Sequence, residues 1–535
     1  MSPNQPVTRR SHGLTRRQAI KLGLAGGLLG GAALLLPLER AAQTELTVKD
    51  RIPESRLPRP FTAPLKVPPV ARPLRRTATT DFYEMTMLMR SVRILPEPFP
   101  KTPIFGYEGI TPGPTIKATR GRRIVVRHIN RLPRRHPYLG YPCTTSVHLH
   151  GNASEPQYDG WAEDVTNPGE FKDYVYPNEQ DARTLWYHDH AIHHTSQNAY
   201  MGCAAFYLTD EDSELPLPKG RYDVPLVIQD KIFAKDGRMI FDDNGESSLF
   251  GDVVLVNGVP WPAMKVERRK YLFRILNAST SRGYNLALSS GEPLTVVGYD
   301  GGLGPAPQPV GSMRVGMAER YGVVIDFAEY EVGQQVILRN LGLDNNQDFD
   351  STRDIMRFDV ASEARDLTNN AVPPVLNRST GAHNPMILEA SDAKRTRDFR
   401  FERKNGLWTV NGETWEDGRV QANPGRDEVE IWRLTNNSGG WFHPVHIHLI
   451  DFKILDRNGG PPHDYERGPK DVAYIGEGET VRVIARFGPK KGKYMMHCHN
   501  LVHEDHDMMV AFEAGVGGPD PMSAPAKPIS EMRPL

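Results

Sequence analysis

The sequence predicts an all-β protein built from three similar β-sandwich domains, and three observations carry that expectation. Apolar and polar residues alternate along many short segments, which is the period of a half-buried strand. Glycine and proline are abundant, 48 and 45 in a chain of 535 residues, which favours short strands and frequent turns over long helices. An apolar strand closing in Arg-x-x-Asn also recurs three times: RRIVVRHIN ends at Asn130, RKYLFRILN at Asn277 and EVEIWRLTN at Asn436. These repeats contain Arg127, Arg274 and Arg433, and their spacings of 147 and 159 residues suit one β-domain each. The domains are expected at 81–212, 222–365 and 385–516.

The elements follow in order. Residues 1–42 read as a targeting segment. TRRQAIK places Arg16 and Arg17 before the apolar run LGLAGGLLGGAALLLPL, which resembles a twin-arginine export signal cleaved near Ala42. The run is short and glycine-rich for a membrane span. The expected partner is therefore the twin-arginine export machinery. The mature protein is expected to be a monomer, free of the membrane, in the periplasm or outside the cell. Residues 43–80 are proline-rich and charged and read as an extended leader on the surface. In DFYEMTMLMRSVRI, Met85, Met87 and Met89 share one strand face, the pattern of core packing more than of a soft-metal stripe. Residues 517–535 form a C-terminal tail.

Composition excludes some functions. Lys+Arg and Asp+Glu both number 65, so there is no basic surplus to suggest a nucleic-acid partner. Three cysteines, Cys143, Cys203 and Cys498, exclude a disulfide scaffold. Cys143 and Cys203 suit either a pair in an oxidising compartment or two small buried apolar residues.

The chemistry lies in four histidine clusters. SVHLHG holds His148 and His150, LWYHDHA holds His188 and His190, WFHPVHIHL holds His443, His446 and His448, and MMHCHNLVHEDHDMM holds His497, His499 and His503. In a strand, side chains two apart share a face about 6.5 Å apart. Each His-x-His pair can therefore grip one metal or two neighbouring ones, and imidazole suits copper, zinc or iron. Cys498 has the opposite parity to His497 and His499, and His443 the opposite parity to His446. His503 and Met508 follow Cys498 in an expected loop. One thiolate, two imidazoles and a thioether form the ligand set of a blue-copper centre, with the methionine as weak axial ligand. Parity thus separates His443, Cys498, His503 and Met508 from eight other histidines, enough for three more metals. Because Cys498 is covalently joined to His497 and His499, the two sets are wired together. Zinc leaves the methionine unexplained, and a mononuclear oxygenase triad needs a carboxylate.

These clusters resemble the multicopper oxidases, from about residue 81 to the C-terminus. The resemblance lies nearest the bilirubin oxidase branch and the bacterial spore-coat-type laccases. The motifs are YDGWAED, YPNEQDARTLWYHDHA, VNGVPWP, HPVHIHLIDFK and HCHNLVHEDHDMM, with no departure at a ligand position. The resemblance implies three cupredoxin-like Greek-key domains and four copper ions: one type 1, one type 2 and two type 3. Type 1 would take His443, Cys498, His503 and Met508. Type 2 would take His148 and His446. One type 3 ion would take His150, His188 and His499, and the other His190, His448 and His497. The implied reaction oxidises a small-molecule donor, phenolic or tetrapyrrole-like, one electron at a time and reduces O2 to water.

That reduction consumes protons, so carboxylates near the cluster are expected. By the resemblance, Asp159 and Glu504 serve as relays; otherwise Asp159 is a turn residue and Glu504 an acceptor orienting a ligand. Trp441 stands two before His443 and, in a continued strand, shares its face on the donor side. His443 is expected to pass the electron. His193 and His194 read as surface or supporting residues, and His506 has no assigned role. A metal-detoxifying oxidase of Cu(I) or Fe(II) is the alternative, though no methionine-rich insertion occurs in the third domain. A copper-free scaffold acting in cell division, or a two-domain nitrite reductase, fits the retained ligands poorly.

Overall fold

A computed structural model of the chain describes residues 46–210, 214–379, 381–416 and 419–535, and in it the three Arg-x-x-Asn segments are strands with one shared design. Arg123–Asn130, Lys270–Asn277 and Glu428–Asn436 each run parallel to an earlier strand, respectively Thr80–Val92, Asp223–Lys231 and Arg395–Lys404. Each also runs antiparallel to a later one. The three arginines pair with carboxylates: Arg127 with Asp173, Arg274 with Asp223 and Arg433 with Asp398. The three asparagines are fully buried. In each, the side-chain oxygen accepts the N–H two residues on, from Leu132, Ser279 or Ser438. The side-chain nitrogen donates to backbone carbonyls, of Cys143 and Thr166, of Arg282 and Val315, or of Trp441 and Gly476. A buried amide must be satisfied, and each of these bonds contributes about 1 kcal/mol. The repeat is therefore a knot that ties the end of one strand to the loops around it.

Six sheets form three pairs. The first pairs a six-stranded sheet with a four-stranded one, the second a seven-stranded with a five-stranded one, and the third two of five strands. Phe401, Trp432 and Val483 from one sheet of the third pair share a core with Val445, Met496 and Phe512 from the other. The cores of the first and second pairs run together as one cluster. Met85 and Met87 are buried in it, as their parity predicts, but Met89 is 39% exposed. No α-helix among the described residues exceeds Thr195–Met201 in length, and none is long and apolar enough to cross a membrane.

The terminal segments strap the sandwiches together. The leader bonds first to the second sandwich, through Phe233, Trp261 and Ala263, and then to the first, through Thr115. The tail returns from the third sandwich to pair Lys527–Pro528 with Glu170 and Phe171 of the first. Cys143 and Cys203 are buried free thiols. The expected export segment, residues 1–42, lies outside the described residues.

Candidate metal centre

Strand register assembles the histidines. Val147–His150 pairs antiparallel with Arg183–Asp189, which sets His148 opposite His188. His443–Ile447 pairs antiparallel with Gly492–Cys498, which sets His446 opposite His497 and Val445 opposite Cys498. His190, His448 and His499 each stand one residue past a strand end, so the second histidine of three pairs lies where the chain leaves its sheet. The first and third sandwiches meet along these two strand pairs, and all eight imidazoles are at most 1% exposed.

Ligand atoms from three trios lie within 4.8 Å of one another: His150, His188 and His499; His190, His448 and His497; His148, His150 and His446. On six of the eight rings one nitrogen is occupied. His148 Nδ1 donates to the Asp159 carbonyl (2.5 Å), His188 Nδ1 to the Asp189 carbonyl (2.8 Å) and His446 Nδ1 to the Asp471 carbonyl (2.9 Å). His448 Nδ1 donates to Asp159 Oδ2 (2.7 Å), and His497 Nδ1 lies 2.9 Å from Glu504 Oε2. His150 uses its other nitrogen, Nε2, 3.2 Å from Asp471 Oδ1. These contacts fix the tautomers of those six rings.

The inner nitrogens have no such partners. Nε2 of His148, His188 and His446 and Nδ1 of His150 are buried without a hydrogen bond. His497 Nε2 lies 3.2 Å from both His190 Nε2 and His448 Nε2. With His448 and His497 donating outward, their Nε2 atoms bring lone pair against lone pair, an arrangement that a cation relieves. Burial holds seven of the eight rings neutral: His188 is pushed down to about 3 and His190 to about 4, while His148, His150, His446, His448 and His499 lie well below the usual imidazole range. Neutral imidazole is the ligating form.

A second site lies inside the third sandwich. His443 Nδ1 is 3.3 Å and His503 Nδ1 3.6 Å from Cys498 Sγ, and the two nitrogens are 3.2 Å apart. Their outer nitrogens are again held, His443 Nε2 by the Ser438 hydroxyl and His503 Nε2 by the Ser247 carbonyl at 2.8 Å. Met508 is fully buried in the same core cluster as Cys498, and its carbonyl accepts the Cys498 N–H. Burial pushes the Cys498 thiol well up, opposed by the Asn500 N–H, so metal binding there displaces a proton.

The segment after Cys498, expected as a loop, is a short helix, Leu501–Asp505, capped by Asn500. Its one turn sends His503 to Cys498 and Glu504 to the other cluster. Burial alone raises the Glu504 carboxyl, but His497 and His190 beside it hold it down at about 2. Asp159, pushed well up by burial, leaves Oδ1 without a partner. Both carboxylates thus touch the outer edges of the histidine cluster.

Trp441 departs from expectation. The strand begins at His443, so strand parity does not reach Trp441; its ring meets His503 (5.7 Å) and Trp408 (5.3 Å). The His443 ring is fully buried, whereas Ser438 and Trp441 are half-buried. His193 Nδ1 donates to the Asp505 carbonyl, and His194 is bonded to Gln197 and stacked on Tyr141. His506 lies beside Asp243 and Glu246.

Sequence reasoning missed several neighbours. Trp408 stacks on His503 at 3.7 Å. Ser247 and Asp471 hold ligand rings, and Arg320 holds Asp471. Only Ser438 had a legible signal, as the residue two after the third repeated Asn.

Comparison with known proteins follows the same lines. Three family models, each described as multicopper oxidase, match residues 89–213, 233–356 and 381–517. A bilirubin oxidase from Albifimbria verrucaria is 41% identical over 484 residues, covering 85% of this chain and 81% of that protein. A laccase from Bacillus subtilis (strain 168) is 34% identical over 506 residues, covering 84% of this chain and 97% of the laccase. Among solved structures, a laccase from Pediococcus acidilactici superposes with a TM-score of 0.76 at 27% identity, covering 86% of this chain and 94% of that one.

Proposed function

This chain belongs to the multicopper oxidase family, and we propose that it couples one-electron oxidation of phenolic or tetrapyrrole donors to the four-electron reduction of O2 to water. In balance, four donor electrons, four protons and one O2 give two waters. The family implies copper, and the inner nitrogens fit it: they are buried, several have no partner, and at His497 they are opposed lone pair to lone pair. When bound, copper supplies the one-electron steps at the Cys498 site and the reduction of O2 at the histidine cluster.

We assign His443, Cys498, His503 and Met508 to a type 1 ion. His148 and His446 hold type 2. His150, His188 and His499 hold one type 3 ion, and His190, His448 and His497 the other. The observation that carries the reading is the placement of Cys498 between His497 and His499. The thiol points to one site while its covalent neighbours serve the other, so two short through-bond paths join them. Asp159 and Glu504 sit where a proton must arrive, each bonded to the outer edge of a cluster histidine. Donor electrons enter over Trp441 and Ser438, which overlie His443 and His503. Export by the twin-arginine route is part of the proposal and rests on Arg16, Arg17 and the apolar run after them.

The test is oxygen uptake by the purified, copper-loaded protein given bilirubin, a methoxyphenol or Cu(I), each against enzyme-free controls. Organic donors driving uptake well above Cu(I) support the proposal, and their ranking narrows the substrate class. Uptake with Cu(I) alone replaces it with a metal-detoxifying oxidase. No uptake from a blue, fully loaded protein removes the cluster assignment.

A further inference from the structure

The second sandwich contributes no residue to the histidine trios or to the His443, Cys498 and His503 group, yet it reaches the residues that support the histidine cluster, foremost through one side chain. Arg320, on the strand Arg320–Asp326, is fully buried. Its guanidinium has five N–H donors, and each has a use. Nη1 and Nη2 grip Asp471 Oδ1 and Oδ2, both at 2.6 Å. Nε donates to the Thr184 carbonyl, and the remaining two donate to the carbonyls of Ala318 and Asp300.

Asp471 is the hinge of this arrangement. Its Oδ1 faces His150 Nε2, and its backbone carbonyl accepts from His446 Nδ1. Its own N–H donates to Asp300 Oδ2. The neighbouring Lys470 is held by Asp300 (2.8 Å) and Glu319 (2.9 Å). Asp300, Glu319 and Arg320 of the second sandwich therefore fix the dipeptide that orients two cluster histidines. Gly151, directly after His150, confirms the closeness: a Cβ there would lie 2.6 Å from Asp471 Oδ2 and 2.7 Å from Arg320 Nη2.

We propose that Arg320 is a positioning residue for the copper cluster, setting through Asp471 the tautomer and aim of His150 and His446. The proposal rests on the copper assignment given above. Its sharpest consequence falls on the position held by His148 and His446. Two protein ligands make the weakest chelate of the four, so a loosened His446 shows there first. The second sandwich is then not a spacer but a clamp on copper occupancy.

The experiment compares copper-loaded wild type with Arg320→Lys, which keeps the charge but loses the bidentate fork. Arg269→Lys is the control, since Arg269 is a buried arginine of the same sandwich bonded only to carbonyls at 366, 368, 369 and 270. Copper per chain is measured across a chelator series, alongside the type 2 electron paramagnetic resonance signal and the blue absorption. Outer-sphere changes of this kind cost about 10–100-fold in affinity. Expected for Arg320→Lys is loss of one copper, with its type 2 signal, at a chelator concentration about 10-fold lower than wild type requires. The blue band persists, and Arg269→Lys loses stability without losing copper. If Arg320→Lys fails to fold, Asp471→Asn is measured instead; it keeps the carbonyl to His446, weakens the fork, and is expected to show a smaller shift in the same direction. Wild-type occupancy and an unchanged type 2 spectrum in the variants overturn the positioning role alone. A wild-type protein with no type 2 signal overturns the copper assignment, and this proposal with it.

Discussion

Replacing Asp159 by Asn isolates proton delivery from metal binding. Asp159 Oδ2 accepts His448 Nδ1 at 2.7 Å, its backbone carbonyl accepts His148 Nδ1, and Oδ1 has no partner. An Asn side chain has the same shape, and its carbonyl oxygen can take the place of Oδ2. The His448 tautomer survives, as does the backbone contact to His148. What disappears is a group able to gain and lose a proton. A positioned acid–base group contributes about 10²–10⁴ in rate, or about 3–5 kcal/mol at 1.36 kcal/mol per decade. Asp159→Ala is a different perturbation, because it also orphans His448 Nδ1, at a further cost of about 1–3 kcal/mol, and loosens a ligand. The assay splits the cycle: stopped-flow bleaching of the blue band by donor without O2, then reoxidation of the reduced enzyme on mixing with O2. Asp159→Asn should bleach at the wild-type rate and reoxidise about 100-fold or more slowly. Reoxidation near the wild-type rate in a fully loaded variant would refute the relay and leave Asp159 as an acceptor that orients His448.

Three further outcomes are expected. Met508→Leu removes the thioether proposed as the weak axial ligand and should raise the potential of the Cys498 site in a redox titration; a lower potential contradicts the axial assignment. Ser438→Ala strips the partner from His443 Nε2 and should weaken copper binding at the Cys498 site about 10-fold, read as loss of the blue band against a competing chelator; unaltered affinity sinks the role. His128 is buried among Tyr107, Tyr174 and Tyr187, and burial pushes it down from 6.5 to about 3. Its ring is neutral when folded and titrates near 6.5 when unfolded, so its stabilising effect is complete above pH 6.5 and lost as pH falls toward 3. The loss amounts to about 3 kcal/mol at pH 4. His128→Leu should flatten that slope in urea denaturation at pH 7 and pH 4, and equal losses in the two proteins would exclude it.

The gathering of the histidines and Cys498 into two clusters was legible because it is a matter of spacing. Alternation along a strand separates Cys498 from His497 and His499 whatever the rest of the chain does. The repeated Arg-x-x-Asn was legible as a repeat but not as a device, because no periodicity says that Asn130, Asn277 and Asn436 each bond backbone across a loop. Trp441 shows where parity stops, since the strand starts at His443. Among the residues that hold these rings, Asp159, Glu504 and Ser438 left a signal in the sequence, but others did not. Asp471 and Arg320 are 151 residues apart and meet only because three sandwiches close on one point. Ser247 acts through its carbonyl, which any residue possesses, so its identity carries no signal.

The buried inner nitrogens have a consequence for assembly. On five rings, His148, His150, His188, His446 and His499, that nitrogen lacks any partner, and leaving a buried polar atom unpaired costs about 1–3 kcal/mol. The metal-free seam between the first and third sandwiches therefore works against the apolar cores on either side of it. Copper bound as proposed would reverse the sign of that local contribution, because the atoms that oppose closure would become the ones that hold it. Loading and closure are then linked, and whatever holds the sandwiches in place without metal decides whether the site exists to be loaded. The leader bonded to Phe233 and Thr115, the tail paired with Glu170 and Phe171, and the Arg320 fork on Asp471 all join separate sandwiches without using a copper ligand. On that argument the second sandwich and both terminal straps belong to the metal centre as much as the histidines do: they supply the closure that uncoordinated imidazoles would resist.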